Sequence, residues 1–283
     1  MEIARTIADL RAQTGRSRRS EQSIGLVPTM GALHAGHLAL VSAARAECER
    51  VVATIFVNPK QFAPSEDLGA YPRREAADLE MLRSARVDLV FIPAVEEIYP
   101  PGFSTSVRVT EITEGLCGAH RPGHFDGVAT VVTKLLIQAL PDAAYFGEKD
   151  YQQLMMVRRL ARDLDIPVRI VGVPTVREAD GLALSSRNTY LSPQERRTAP
   201  ALARVLRRVA AAAADDPSAV ARELAWGRDE LQRAGFVVEY LEIRDAETLA
   251  PVTTKITAPS RVFAAVHLGR TRLIDNMPIP PAA

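Results

Sequence analysis

The chain has 283 residues, of which 47% are hydrophobic and 24% charged, with a formal net charge of +1. That length suits one large or two modest globular domains. The near-neutral balance argues against bulk nucleic-acid binding and membrane-surface steering, and no apolar run approaches bilayer-spanning length. Two cysteines, Cys48 and Cys117, are too few for a disulfide framework and show no metal-ligand spacing. Both read as reduced thiols of a cytoplasmic protein, and residues 1–5 lack a signal-peptide core.

In chain order, the basic cluster Arg16, Arg18 and Arg19 reads as a solvated loop rather than a binding patch. Apolar runs at 24–27, 51–57, 87–92, 143–146 and 168–173 alternate with helical spacing near 36–49, 73–84, 126–140 and 150–164. Continuous apolar strands suit a parallel sheet covered on both faces, and strand–helix alternation predicts a doubly wound, Rossmann-like α/β domain. After about residue 175 the texture changes. Helical stretches near 193–213 and 216–234 precede strands at 237–243 and 261–267, which predicts a smaller α+β domain. The predicted division is 1–175 and 176–283. The alanine run at 210–214 is explained by helix propensity, and the Pro-rich tail, 278–283, is expected to fray.

Four polar clusters follow strand ends, where open α/β sheets bind ligands. The first is residues 28–37, Pro-Thr-Met-Gly-Ala-Leu-His-Ala-Gly-His, where a strand turns into a helix. A helix start offers free N–H groups and a positive dipole end to phosphate. Two imidazoles there, His34 and His37, can hydrogen-bond phosphate oxygens and carry a proton near neutral pH. The second is Asn58-Pro59-Lys60-Gln61-Phe62, whose amides can orient hydroxyl or carboxylate groups, although Asn-Pro is also a plain turn signal. The third is Gly147-Glu148-Lys149-Asp150, with Gln153 one turn on and expected on the Lys149 face. The fourth is 180–188, where Ser185, Ser186 and Arg187 form a candidate phosphate clamp on a loop able to close. Each of the last two also reads as an ordinary capped helix or polar linker. Neither a P-loop, a serine-nucleophile elbow nor a zinc signature is present.

Together, residues 28–37, 56–62, 121–125, 146–153 and 181–188, with Leu-Ile-Asp-Asn at 273–276, resemble the pantoate–β-alanine ligase family over nearly the whole chain. The H-x-G-H turn alone indicates only the wider nucleotidylyltransferase superfamily. Lys60 stands where the family often has methionine or another apolar residue, and Asp126 where it is often basic or small. The resemblance implies an ATP-dependent ligase that condenses pantoate with β-alanine through pantoyl adenylate, giving pantothenate, AMP and pyrophosphate. It implies catalytic roles for His34, His37, Lys149 and Arg187. ATP would contact Met30, His34, Gly36, His37, Gly147, Lys149, Asp150, Val176, Leu184, Ser185, Ser186 and Arg187. Pantoate and β-alanine would contact Met30, Asn58, Gln61 and Gln153. Mg²⁺ would accompany ATP, held mostly by phosphate and water, with Asp78 a possible outer contributor and no protein ligand set assigned. The resemblance also implies a homodimer formed through the N-terminal domain. Two other classes compete: an H-x-G-H enzyme making a dinucleotide or CDP product, and a nucleotide sensor without turnover. The paired glutamines count against the sensor.

Overall fold

The computed structural model describes residues 1–64 and 66–280. The chain divides into two compact units. The first comprises Met1–Thr113, Gly118–Glu148 and Gln153–Pro174, and the second Glu114–Cys117, Lys149–Gln152 and Thr175 onward.

The first unit opens with β1 (Glu2–Ala4) and α1 (Ile7–Arg19). The Thr6 side chain caps α1 by accepting the Asp9 N–H at 3.1 Å. The arginine cluster expected in a loop instead forms the last turn of this helix. Cations there offset the negative dipole end, which favours helix over loop. β2 (Ile24–Val27), α2 (Ala35–Glu47), β3 (Arg50–Thr54), α3 (Glu75–Ser84) and β4 (Leu89–Phe91) follow. Next come the single turns α4 (Val95–Ile98) and α5 (Cys117–His120), then α6 (His124–Ala139), β5 (Ala143–Gly147), α7 (Tyr151–Asp163) and β6 (Arg169–Val173).

The six strands form one parallel sheet in the order β1-β4-β3-β2-β5-β6. All of β2 is buried, as its unbroken apolar run predicts for a sheet covered on both faces. The α2 residues Leu40, Val41 and Ala44 join Val27, Val51, Ala53 and Tyr145 in the core. The chain winds outward from β2 through β3 to β4, then restarts beside β2 with β5. Strand order therefore reverses between β2 and β5, the place where doubly wound sheets bind ligands beyond their carboxyl ends. The segments leaving those two ends are 28–37 and the turn Glu148–Asp150.

The second unit holds α8 (Pro193–Thr198), α9 (Ala201–Asp215), α10 (Val220–Arg233) and the antiparallel sheet β7-β8-β9, with β7 at Val237–Asp245, β8 at Ser260–Leu268 and β9 at Thr271–Ile279. Leu202, Leu206 and Val209 of α9 and Leu231 of α10 pack with Leu241, Val262, Ala264 and Val266 of the sheet. The single helix expected at 193–213 is two. Ser192 and Glu195 form a capping box on α8, and Pro200, which lacks an N–H, takes the N-cap position of α9. The frayed tail is corrected as far as Ile279, because β9 pairs with β8 from Thr271 to that residue. Residues 281–283 lie outside those described.

Candidate active site

The H-x-G-H turn is built by its own side chains. His34 is the N-cap of α2, and its Nδ1 accepts the Gly36 N–H at 3.1 Å. His37, three residues on, reciprocates: its Nδ1 accepts the His34 N–H at 3.3 Å. The pair is a histidine version of the reciprocal capping box, with ring centroids 4.1 Å apart. With Nδ1 accepting in both rings, the neutral tautomer carries its proton on Nε2. Each histidine is thus a cap through one nitrogen and a hydrogen-bond donor through the other.

The turn before the helix is held from outside. Gly31 and Ala32 both have positive φ, 81° and 50°, and a β-carbon on Gly31 would meet an Asp78 oxygen at 2.9 Å. Asp78, buried in the first turn of α3, accepts the Ala32 N–H on Oδ2 at 2.9 Å and the Leu33 N–H on Oδ1 at 2.8 Å. Both oxygens are committed to backbone, so Asp78 fixes the turn's shape. Among the described residues, no group of three or more His, Cys, Asp or Glu side chains could hold a metal ion. Mg²⁺ held by one or two carboxylates together with substrate phosphates needs no such group, and each Asp78 oxygen already accepts one backbone N–H. A cavity of about 260 Å³ opens beside this turn, lined by Met30, Gly31, Phe56 and Asp78 among others.

Met30 and Gln61 meet: the Gln61 amide nitrogen donates to the Met30 sulfur at 3.1 Å. A thioether is a weak acceptor, so an oxygen of a bound substrate can displace it at little cost. The other end of the amide is fixed, since Asn58 Nδ2 donates to Gln61 Oε1 at 3.0 Å. Asn58 itself is buried at 1% exposure. Its Nδ2 also reaches the Gly127 carbonyl, and its Oδ1 accepts from the Lys60 N–H and the Tyr99 hydroxyl. Protein groups thus fill the hydrogen-bonding positions of the Asn58 side chain, one of them orienting Gln61. Burial pushes the Tyr99 hydroxyl pKa well up, so it stays a donor. The 3-10 turn Pro59–Gln61 lies tight against α6, where a β-carbon on Gly127 would sit 2.2 Å from the Lys60 carbonyl oxygen. Lys60 lies over the Tyr99 and Phe103 rings, and Asp126 pairs with exposed Arg108.

The backbone of Gln61 has a second set of supports, drawn from the segment 121–125. Its carbonyl contacts His124 Nδ1 at 2.8 Å and accepts from Arg121 at 3.4 Å. Arg121 forks onto both oxygens of Glu66, at 2.7 and 2.8 Å. Burial raises the Glu66 pKa, but the Arg121 guanidinium outweighs it and holds the carboxyl below the ordinary range. With a depressed folded pKa, the pair's contribution is present above the unfolded carboxylate value of about 4.3. It fades as pH falls through the lower folded value. Glu66→Gln is accordingly expected to reduce the fall in stability below about pH 4.3, read by urea denaturation between pH 7 and 3. Identical acid slopes in variant and parent would contradict this.

The remaining expected residues are placed as follows. A β-carbon on Gly147, at the end of β5, would meet nothing within 4 Å, so that position is open. Lys149 and Asp150 occupy a 3-10 turn, with Lys149 Nζ 3.8 Å from Asp150 Oδ2. Lys149 therefore precedes α7, and half-buried Gln153 lies within that helix. In the second unit, the Val176 carbonyl accepts the Leu184 N–H at 3.0 Å, and Arg177 bridges Ala183, so 176–184 is a narrow hairpin. Ser185 caps the next 3-10 turn, Ser186–Tyr190, by accepting the Arg187 N–H at 3.3 Å. Arg187 is half-buried in that turn.

Residues 2–278 match the model of the family described as pantoate-beta-alanine ligase. The chain belongs to that family. Its similarity to the pantothenate synthetase of Paramagnetospirillum magneticum is 55% identity, covering 99% of this chain and 98% of the relative. The pantothenate synthetase structure from Thermus thermophilus has a TM-score of 0.93 at 50% identity, covering 99% of this chain and 100% of that one. A pantoate-beta-alanine ligase from Francisella tularensis, solved in complex with beta-gamma ATP and beta-alanine, has a TM-score of 0.83 at 36% identity, covering 98% and 97%. Both structures share this chain's fold over nearly its whole length.

Proposed function

We propose that the protein condenses pantoate with β-alanine, consuming ATP and forming pantothenate, AMP and pyrophosphate through pantoyl adenylate. The observation that carries this reading is the Gln61 amide, fixed at its oxygen by Asn58 and donating to the Met30 sulfur within the H-x-G-H segment. A donor parked on a weak acceptor beside a phosphate-type helix start suits a hydroxy acid placed next to ATP.

In the first step a pantoate carboxylate oxygen attacks the α-phosphorus. The bond from that phosphorus to the bridging oxygen breaks, and pyrophosphate leaves. Negative charge spreads over phosphate oxygens, so preorganised donors supply most of the stabilisation. His34 and His37 are assigned to donate through Nε2, with Gly36 allowing close approach at the start of α2. Lys149, Leu184, Ser185, Ser186 and Arg187 are assigned to the phosphates, Gly147 and Asp150 to the nucleoside, and Val176 to the base through its backbone. Gln61 and Gln153 are assigned to the pantoate hydroxyls, with Gln61 also near β-alanine. In the second step the β-alanine amine attacks the acyl carbon, the bond to the phosphate oxygen breaks, AMP leaves and the amine loses a proton. Mg²⁺ enters as part of MgATP, held by phosphate and water.

Stoichiometry tests the reaction class. One pantothenate, one AMP and one pyrophosphate are expected per turnover, whereas ADP and orthophosphate would indicate an acyl-phosphate route instead. Family membership supports a homodimer in the cytoplasm. Light scattering at micromolar concentration is expected to find twice the 30.8 kDa chain mass, and a monomer alone would overturn the dimer.

A further inference from the structure

We infer that the dipeptide Asp275-Asn276 on β9 is a positioning element for the nucleotide phosphates, holding the hairpin before Arg187 with one residue and the Lys149 turn with the other. The inference rests on the assignment of Lys149 and residues 185–187 to phosphate.

Two adjacent polar residues are unusual inside a sheet core, and both are 3% exposed. A buried carboxylate needs a charge partner. Asp275 has one in Arg177, whose two terminal nitrogens donate to Oδ2 at 2.7 Å and Oδ1 at 2.9 Å. The same guanidinium donates to the Gly181 carbonyl at 3.1 Å, closing the hairpin at the left-handed turn where Gly181 has φ 92°. The hairpin in turn holds the Ser185 turn, because Asn188 Nδ2 donates to the Ala183 carbonyl at 3.1 Å. Asp275 thus acts through Arg177 on the backbone that presents Ser185, Ser186 and Arg187.

Asn276 serves the other turn. Its Oδ1 accepts from Arg261 Nε at 2.8 Å, and its Nδ2 donates to the Lys149 carbonyl at 3.0 Å. Arg261 is itself fixed, stacked 4.1 Å over the Tyr151 ring. Successive strand residues point to opposite faces, so one dipeptide can reach two separate loops. Both turns are then referenced to a single rigid strand, and a small shift of either loses the geometry that phosphate binding needs.

Asn276→Asp keeps an acceptor for Arg261 and removes the donor to Lys149. Asp275→Asn breaks the fork to Arg177. Steady-state kinetics on folded full-length variants, with Lys149→Ala and Arg187→Ala in parallel, tests the inference. Each dipeptide variant is expected to raise the KM for ATP about tenfold, the worth of one lost charged or buried hydrogen bond. The KM values for pantoate and β-alanine are expected to move less than about twofold, a split that uniform loss of fold does not produce. An unchanged ATP KM in folded Asn276→Asp, or an equal rise for all three substrates, overturns the inference. Should Asp275→Asn not fold, Asn276→Asp decides alone. If Lys149→Ala and Arg187→Ala raise the ATP KM while the dipeptide variants do not, this inference fails and the phosphate assignment stands. If Lys149→Ala and Arg187→Ala are silent as well, both fall.

Discussion

His37→Ala is expected to slow formation of the adenylate by about 10²–10⁴-fold while leaving the amine-transfer step much less affected. Charge develops on the α-phosphate and on departing pyrophosphate in the first step, beside the helix start that His37 occupies. A donor fixed there gains strength as the charge grows, and that difference is what lowers a barrier. The amine step works at an acyl carbon, where His37 has less to act on. The structure adds a complication, because His37 Nδ1 also accepts the His34 N–H. Removing the ring therefore costs a cap, about 1 kcal/mol, besides any chemistry. His37→Gln separates the two, since glutamine at this position can return the cap bond but cannot transfer a proton as imidazole does. Single-turnover measurements from ATP with pantoate, and separately from supplied pantoyl adenylate, are expected to show a slow first step in both variants and a cap defect in the alanine variant alone. A folded His37→Ala protein with an unchanged first step would remove His37 from the chemistry.

Asp78→Ala is expected to be the most damaging substitution among the residues that support the site's turns. It leaves the Ala32 and Leu33 N–H groups without their acceptors, both bonded to one buried carboxylate in the intact protein. Hydrogen bonds to a charged group contribute about 1.5–3 kcal/mol each, so the expected loss of stability is roughly 3 kcal/mol or more. The consequence for activity is separate. Gly31 and Ala32 are held in left-handed conformations, and without the carboxylate the turn can relax and carry His34 with it. Displacement of about 1 Å commonly costs around 10² in rate. Asp78→Asn keeps one acceptor but turns an amide toward the other N–H, so it is expected to fall between the parent and the alanine variant. Thermal melts with kcat/KM on the folded fraction check both parts. Unchanged kcat/KM in folded Asp78→Ala would show that the turn keeps its shape unaided.

The parallel sheet and its helices were legible because their signal is local. Runs such as 51–57 and 143–146 announce buried strands by hydrophobicity alone. Three-residue β1 carries too little pattern to be read. β9 was missed because Asp275, Asn276 and Pro278 break the apolar alternation of a strand, although Leu-Ile-Asp-Asn was noticed as a family segment. The polar residues that broke the pattern are the ones that reach Arg177 and Lys149. In the site, the candidate ligand-facing side chains stand beyond strand ends, a place that sequence alone marks. Their supporting bonds are not legible there, although Asp78 and the segment 121–125 stand out, because Asp78, Tyr99, Arg121 and Glu66 act across 41 to 60 residues of sequence that only folding brings together. Asn58 marks the boundary: its residue type and position suggested a substrate contact, and only the count of its hydrogen bonds shows that protein groups already fill it.

The central claim, activation of pantoate as an adenylate at the H-x-G-H turn, is tested most directly by isotope exchange between ATP and pyrophosphate. With pantoate present and β-alanine absent, labelled pyrophosphate is expected to enter ATP, and Gln61→Ala, which removes the amide resting on Met30, is expected to suppress that exchange. Exchange that appears only when β-alanine is added would contradict an adenylate formed before the amine arrives.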